Sequence, residues 1–204
     1  GSIKKIVAMA KEKKVILQQV DRHKLDEMSE SHSHQGVIAI ISEYKYYELD
    51  EVLEIPKEKG EDPFFIILDG ITDPHNLGSI IRTADAVGAH AVIIPKRRSA
   101  QITPVVAKAS AGAVEYVPVC KVTNIANTIK TLKENGLWIA AVDMDGESFF
   151  RQNLSGALAL VVGSEGSGIS RLVKENCDFT VSMPMSGNVT SLNASVAGGI
   201  LLYE

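Results

Sequence analysis

An asparagine and an arginine six residues apart, Asn76 and Arg82, lie in a segment that leaves one predicted strand and enters a predicted helix. Asn76 at the start of that helix can cap its first-turn amides. Arg82 lies among the apolar residues Ile80, Ile81 and Ala84, where a guanidinium needs an acidic partner or a polyanionic ligand to offset its desolvation. The spacing is therefore compatible with two roles for Arg82, a structural ion pair or a contact with a ligand.

A glycine-rich loop follows a later apolar strand and has the sequence GSEGSG over residues 163–168. Its three glycines allow the backbone to approach a ligand closely. Their order differs from the dinucleotide-binding fingerprint, and the lysine that a P-loop requires is absent from the motif. Glu165 in the middle of the loop would repel a phosphate, so the loop favours a neutral or cationic ligand.

Polar residues also lead into the last predicted helix, which begins near Ser191 and is rich in small side chains. Ser191 suits an N-cap, whereas Asn193 suits either a first-turn position or a ligand contact. The alanines and glycines within residues 194–199 allow this helix to pack closely against another one, in the same chain or in a second copy.

Three consecutive cations, Lys96, Arg97 and Arg98, follow another predicted strand. The chain has 21 lysines and arginines against 25 acidic residues, a net charge of −4, which argues against a protein that coats nucleic acid by bulk charge. A local cationic cluster in such a chain predicts phosphate contacts, with a solvated turn as the alternative.

The composition is that of a folded globular chain: 204 residues and 22.0 kDa, with 45% hydrophobic and 23% charged residues. The longest apolar runs, at 64–68 and 157–162, are far shorter than the roughly 20 residues that a membrane helix needs. The amino terminus lacks the pattern of a secretory signal. Cys120 and Cys177 form no CxxC pair and have no cluster of ligands around them, so we expect no metal site and a cytoplasmic location.

The pattern predicts two regions and a linker. Residues 1–54 form a small α/β unit with a helix over 3–14 and a strand over 37–41, and we expect part of this domain to be missing. A charged, proline-containing linker covers 55–63. Residues 64–204 alternate apolar strands with amphipathic helices, which predicts a parallel sheet with helices on both faces. The predicted strands are 64–69, 91–94, 117–119, 137–142, 157–162 and 179–183, and the predicted helices are 76–87, 103–111 and 124–134, with two more from 169 and 191.

Three segments of the larger region are similar in order and spacing to the motifs of SpoU-type RNA ribose 2′-O-methyltransferases: NLGSIIRTAD at 76–85, the loop at 163–168 and SMPMSGNVTSLNASVA at 182–197. The resemblance extends over residues 63–204. The segment IIPKRRSAQITPVVAKASAGA at 93–113 resembles the subgroup that modifies a guanosine of bacterial 23S ribosomal RNA.

The resemblance implies an α/β fold of the SPOUT class, in which a deep trefoil knot at the carboxyl end binds S-adenosylmethionine. By this similarity, Gly163, Met183 and Leu192 contact the cofactor, largely through main-chain groups. It also implies that residues 1–54 are the tail of a small ribosomal-protein-like RNA-binding domain, and that the protein is a homodimer.

The implied reaction is attack of a ribose 2′-hydroxyl on a sulfonium methyl group. The resemblance assigns catalysis to Arg82, assisted by Asn76, Glu165, Ser191 and Asn193. A guanidinium is almost always protonated, so stabilising the developing alkoxide or binding a phosphate is chemically easier for it than acting as a base. Glu165 would orient Arg82 through a charge-assisted pair.

Methyl transfer to a guanosine of bacterial 23S ribosomal RNA is therefore the expected activity. A transfer-RNA ribose methyltransferase and a catalytically silent RNA-binding paralogue are the alternatives within the same fold. A nicotinamide-dependent oxidoreductase also fits the alternating pattern, but its GxGxxG would follow the first strand of the sheet, where this chain has DGITDPHNLG.

Overall fold

The computed structural model describes residues 2–29, 34–40, 43–188 and 191–203. The chain divides into two compact units, one ending at Glu43 and one beginning at Tyr44. In the first unit, helix α1 spans Ser2–Glu12 and helix α2 spans Arg22–Met28. Asp21 caps α2 by accepting a hydrogen bond from the backbone N–H of Lys24 at 2.8 Å.

The amino-terminal helix was predicted over 3–14 and is α1. The predicted strand over 37–41 is wrong for residues 37–40, which carry no strand, while residue 41 lies outside the described residues. A buried strand needs a neighbour to pair its backbone N–H and C=O groups, and the described part of this unit offers no other strand.

The second unit alternates strands and helices as the periodicity of the sequence predicts. Its strands are β1 Phe64–Asp69, β2 Ala91–Pro95, β3 Val119–Val122, β4 Trp138–Ser148, β5 Leu158–Gly163 and β6 Phe179–Ser182. Its α-helices are α3 Leu49–Lys59, α4 Pro74–Ala86, α5 Pro104–Ala109, α6 Ile125–Glu134, α7 Arg171–Asn176 and α8 Ala194–Leu202.

All six strands pair in parallel, in the order β3-β2-β1-β5-β4-β6. Alternate residues of β1 enter two separate cores: Ile66 and Leu68 face one, Phe65 and Ile67 the other. Helices α4, α5 and α8 contribute to the first core, and α3, α6 and α7 to the second. The prediction of a parallel sheet with helices on both faces is confirmed. Helix α8 contacts α4 and β5, an arrangement compatible with the trefoil knot.

The predicted linker over 55–63 is wrong at its beginning, because helix α3 continues through Lys59. Pro56 made this stretch look like a break, yet it lies buried inside α3 beside Val52 and Leu53. A capping box formed by Glu48 and Glu51 begins the helix. The division into two compact units falls after Glu43, before α3 begins.

Strand β4 is longer than the predicted 137–142, since it continues through a register shift between Val142 and Glu147 to pair again with β6. Gly146 lies in the shifted segment, and a Cβ there would stand 2.7 Å from backbone atoms of Thr180. Pairing with β6 on both sides of the shift extends the strand through Ser148 although Asp143 and Asp145 are polar.

None of the helices in the described ranges has both the length and the apolar character needed to cross a bilayer. Across those same ranges, His, Cys, Asp and Glu side chains form no group of three or more that could hold a metal ion.

Candidate active site

The glycine-rich loop at the carboxyl end of β5 closes on itself. Ser164 N–H donates to Gly168 O at 3.2 Å, and Gly168 N–H donates to Ser164 O at 2.9 Å. Gly168 has a φ of +64°, a left-handed conformation that glycine adopts at little cost. The loop is also tied to the end of β1, because Asp69 Oδ2 accepts the backbone N–H of Ser170 at 2.7 Å.

Gly163 begins this closed loop and tolerates no side chain. A Cβ at Gly163 would overlap the backbone of Gly168 and Ile169. The main chain on both sides of the loop is therefore in direct contact, and glycine is required for packing.

Glu165, at the tip of the loop, joins two other segments of the chain. Its Oε1 accepts hydrogen bonds from Asn76 Nδ2 at 2.8 Å, from Asn193 Nδ2, and from the backbone N–H of Ala194 at 3.4 Å. Asn193 Nδ2 also donates to Asn76 Oδ1 at 2.9 Å. We call these three side chains, Asn76, Glu165 and Asn193, the carboxamide junction.

The carboxamide junction leaves one carboxylate oxygen available. Every hydrogen bond that Glu165 makes to the described residues uses Oε1, so Oε2 has no partner among them. Glu165 is exposed, and its free oxygen can accept a hydrogen bond from a ligand. The sequence predicted all three residues for the site but did not predict that the two asparagines hold the glutamate.

Asn193 also caps helix α8. Its Oδ1 accepts the backbone N–H groups of Ser195 and Val196, at 3.0 and 3.2 Å, while its Nδ2 serves the junction. The alternative reading of Asn76 and Ser191 as helix caps is wrong in both motifs. Asp73, not Asn76, caps α4 by accepting His75 N–H at 2.9 Å, and Asn193, not Ser191, caps α8.

Arg82 stands apart from the junction. Six residues of α-helix separate it from Asn76, about 9 Å along the axis and about 120° around it. Its side chain is exposed and makes no ion pair or hydrogen bond within the described ranges. The predicted Glu165–Arg82 pair is wrong: the described partners of Glu165 are Asn76, Asn193 and the backbone of Ala194, and Arg82 is not among them. Arg82 therefore needs no buried partner, since it does not enter the core.

The remaining predicted contacts lie on the segment between β6 and α8. Met183 is partly buried against the first core, which contains Ile66 and Leu68 of β1. Leu192 is 36% exposed. Ser191 is exposed and makes no side-chain hydrogen bond to any described residue, so the structure does not bring it into the junction. Leu192 directly precedes Asn193 in the sequence, so its main chain is adjacent to the carboxamide junction.

A cleft of about 460 Å³ opens at the carboxyl ends of β1, β2 and β3. Of the three predicted phosphate contacts, Arg97 and Arg98 line this cleft, and Lys96 does not. Sequence reasoning missed Thr123 and Asn124, which also line the cleft; Asn124 caps α6, its Oδ1 accepting the backbone N–H of Asn127 at 3.0 Å. An asparagine just before an amphipathic helix was a detectable signal, but it indicates an N-cap as readily as a ligand contact.

Two family models match the chain over most of its length. The model described as the SpoU rRNA Methylase family matches residues 63–203. The model described as RNA 2′-O ribose methyltransferase substrate binding matches residues 1–47. The predicted resemblance is confirmed over both regions.

Similar proteins carry related descriptions. YacO of Bacillus subtilis (strain 168), assigned to the TrmH family of tRNA/rRNA methyltransferases, is 53% identical over 206 residues, which cover 100% of this chain and 82% of YacO. An AdoMet-bound rRNA methyltransferase from Sinorhizobium meliloti superposes with a TM-score of 0.69 and 26% identity, covering 78% of this chain and 59% of that one. The A. aeolicus TrmH/SpoU tRNA modifying enzyme has a TM-score of 0.64 and 31% identity, covering 76% of this chain and 77% of its own.

Proposed function

The chain belongs to the SpoU rRNA methylase family of RNA methyltransferases, and from this premise we propose that it methylates a ribose 2′-hydroxyl of RNA. The observation that carries the proposal is the carboxamide junction. It fixes Glu165 through one oxygen and leaves the other free to accept a hydrogen bond from a hydroxyl group. An unprotonated nitrogen of a nucleobase accepts hydrogen bonds, and a carboxylate has no hydrogen to donate to it.

S-adenosylmethionine fits the residues present. The half-buried Met183 and the exposed Leu192 offer apolar and main-chain contacts beside the loop that Gly163 begins, and Glu165 in this loop suits a cation better than a phosphate. When bound, S-adenosylmethionine supplies a methyl group on a positively charged sulfur. We propose that Gly163, Met183 and Leu192 hold it, as the resemblance implies.

The protein's side chains orient the ribose and accept the proton of its 2′-hydroxyl group. Glu165 Oε2 accepts the hydrogen bond of the 2′-hydroxyl, which orients an oxygen lone pair toward the methyl carbon. Asn76 and Asn193 keep Glu165 from turning away. On transfer, the methyl–sulfur bond would break as the O–C bond forms and the hydroxyl proton would pass to Glu165 Oε2, while the guanidinium of Arg82 stabilises the negative charge that develops on oxygen. We also propose that Ser191, which is exposed on the segment before α8, contacts the ribose.

We propose that the protein acts as a homodimer. Helix α8 is strongly apolar, yet its Val196 and Ile200 are 49% and 45% exposed, and Tyr203 directly after the helix is 70% exposed. A helix that is hydrophobic on most faces is ordinarily buried. Ile200→Asp should convert dimer to monomer in sedimentation equilibrium, and a monomeric wild type would contradict the dimer.

The substrate we propose is a guanosine of bacterial 23S ribosomal RNA. The family description names ribosomal RNA, and residues 93–113 resemble the subgroup with this target. Transfer RNA is the second candidate, because YacO is described as a tRNA/rRNA methyltransferase and the A. aeolicus relative as a tRNA modifying enzyme. The cytoplasmic location stays a prediction.

The test is transfer of labelled methyl from S-adenosylmethionine to 23S ribosomal RNA and, separately, to transfer RNA, both transcribed in vitro and unmodified. Label confined to one guanosine of 23S RNA is the expected result. Label confined to transfer RNA would make transfer RNA the substrate in place of 23S ribosomal RNA. Saturable cofactor binding with no label on either RNA would favour the silent paralogue.

A further inference from the structure

The 460 Å³ cleft is distinct from the carboxamide junction, and its size lies within the range of about 300–1,000 Å³ typical of small-molecule sites. Apolar side chains form part of its lining, and polar groups form the rest. The apolar part consists of Pro95, Ile125, Ala126, Leu172 and Val173. Such a surface can pack against the face of a flat ring.

The charge of the lining is predominantly positive. Arg97 and Arg98 line the cleft, and neither forms an ion pair with any acidic residue in the described ranges. Asp69 is the acidic residue of the lining, and its Oδ2 accepts the backbone N–H of Ser170 at 2.7 Å. A pair of guanidinium groups without carboxylate partners favours a phosphate, which a guanidinium can bind through two hydrogen bonds.

The loop that carries the arginines is held in place by its backbone. Lys96 N–H donates to Val122 O at 2.8 Å, and Ala100 N–H donates to Ile71 O at 2.8 Å. Arg98 itself has a φ of +58°, a left-handed conformation that is unfavourable for a residue with a side chain. Residues held in such conformations concentrate at ligand sites, where the surrounding structure compensates for the strain.

The cleft shares one wall with the reacting site. Ser167 and Gly168 line the cleft, while Glu165, two residues before Ser167, belongs to the carboxamide junction. Two residues of extended chain span at most about 7 Å, so a ligand against Ser167 lies beside the position of the reacting ribose. The loop of residues 163–168 therefore separates two adjacent subsites.

We propose that this cleft binds one nucleotide of the RNA strand, next to the nucleotide whose ribose is methylated. Arg97 and Arg98 bind its phosphodiester group, and the apolar wall packs against its base. The inference rests on the proposed function for the identity of the strand as substrate. It adds a binding subsite that selects single-stranded RNA, since a base buried in a duplex cannot enter the cleft.

The experiment measures binding of unmodified 23S ribosomal RNA without cofactor, over a series of salt concentrations, together with methyl transfer. The double variant Arg97→Ala/Arg98→Ala removes the charge. Thr123→Trp fills the cleft from an exposed wall position and leaves the charge unchanged. Lys130→Ala is the matched control, because Lys130 is an exposed cation on the same helix as Ile125 and does not line the cleft. An affinity for S-adenosylmethionine equal to that of the wild type shows that a variant keeps its fold.

We expect the double arginine variant to weaken RNA binding by about tenfold or more and to lower the slope of log affinity against log salt by roughly 0.7, because the two arginines bind a single phosphodiester group. Thr123→Trp should also weaken binding, by about tenfold, with the slope unchanged, because it removes the stacked base but no phosphate contact. Lys130→Ala should bind RNA as the wild type does.

Wild-type RNA affinity in Thr123→Trp would overturn the cleft as a nucleotide site, and so would wild-type affinity in the double arginine variant. Failure of the proposed function gives a different result. In that case the wild type would bind RNA, the cleft variants would weaken that binding, and no RNA would receive a 2′-O-methyl group.

Discussion

Asn193 Nδ2 donates a hydrogen bond to Asn76 Oδ1 across 2.9 Å, which joins the residue before α8 to the first turn of α4 from 117 positions away in the sequence. The same Nδ2 donates to Glu165 Oε1, at the tip of the loop after β5. One amide group thus connects all three sequence motifs. The position of the carboxylate consequently depends on side chains from two helices as well as on its own loop.

Substitutions at Asn193 separate its two roles. Asn193→Asp keeps an acceptor for the N–H groups of Ser195 and Val196, so we expect the free energy of unfolding to change by less than about 1 kcal/mol. The substitution also places a second carboxylate beside Glu165. Repulsion between the two charges should displace Glu165 and slow methyl transfer by up to about a hundredfold. Unfolding in urea and single-turnover transfer measure the two effects.

Asn193→Ala is the companion variant, because it removes the cap as well as the junction. Its unfolding free energy should fall by about 0.5–2 kcal/mol. A methyl-transfer rate in Asn193→Asp equal to that of the wild type would show that the junction does not position Glu165.

A side chain at Gly163 should weaken S-adenosylmethionine binding. The Cβ of Gly163→Ala would overlap the backbone of Gly168 and Ile169, and overpacking of this kind typically costs about 1–3 kcal/mol. We expect the calorimetric affinity to fall by about tenfold or more. Gly166→Ala is the matched control in the same loop, since a Cβ there meets no atom within 4 Å. Equal affinities in the two variants would mean that the cofactor lies elsewhere.

Arg82→Ala should abolish most methyl transfer and leave cofactor affinity unchanged. The side chain is exposed and holds no other described residue in place, so its loss should not unfold the chain. Losing one donor that stabilises developing negative charge typically costs about 10²- to 10³-fold in rate. Arg82→Lys keeps the charge without the planar fork and should recover part of the rate. Equal transfer rates in Arg82→Ala and the wild type would remove Arg82 from the mechanism.

The sequence predicted the sheet better than it predicted the site. Apolar runs such as residues 64–69 fix a buried strand because few other environments accept them. The partner of Glu165 was predicted wrongly, because opposite charge favoured Arg82, whereas the helix places Arg82 about 120° from Asn76. Pro56 was similarly misleading, since burial of Val52 and Leu53 keeps α3 intact around it. Both outcomes depend on tertiary contacts between distant segments.

The two cysteines should make stability depend on pH in the alkaline range. Burial raises the pKa of the Cys120 thiol to about 12 and that of Cys177 to about 11, from 9.0 for an ordinary thiol. The folded state therefore holds these protons more tightly than the unfolded state. The resulting stabilisation is fully present below pH 9.0 and is lost as pH rises through 11 and 12.

Unfolding in urea at pH 8 and pH 10 should accordingly give a smaller free energy at the higher pH, and Cys120→Ala should reduce that difference. Both thiols should also react slowly with iodoacetamide in the native state at pH 8 and quickly in denaturant. Rapid native alkylation of Cys120 would contradict its burial.

The most direct test of the central claim is the position of the methyl group in the product. RNA methylated by the wild-type protein is digested to nucleosides, and the mass of each fragment distinguishes a methyl group on ribose from one on the base. The carboxamide junction predicts a 2′-O-methylated nucleoside, because Glu165 Oε2 orients a hydroxyl group. A methyl group found on a base nitrogen or carbon would contradict the account.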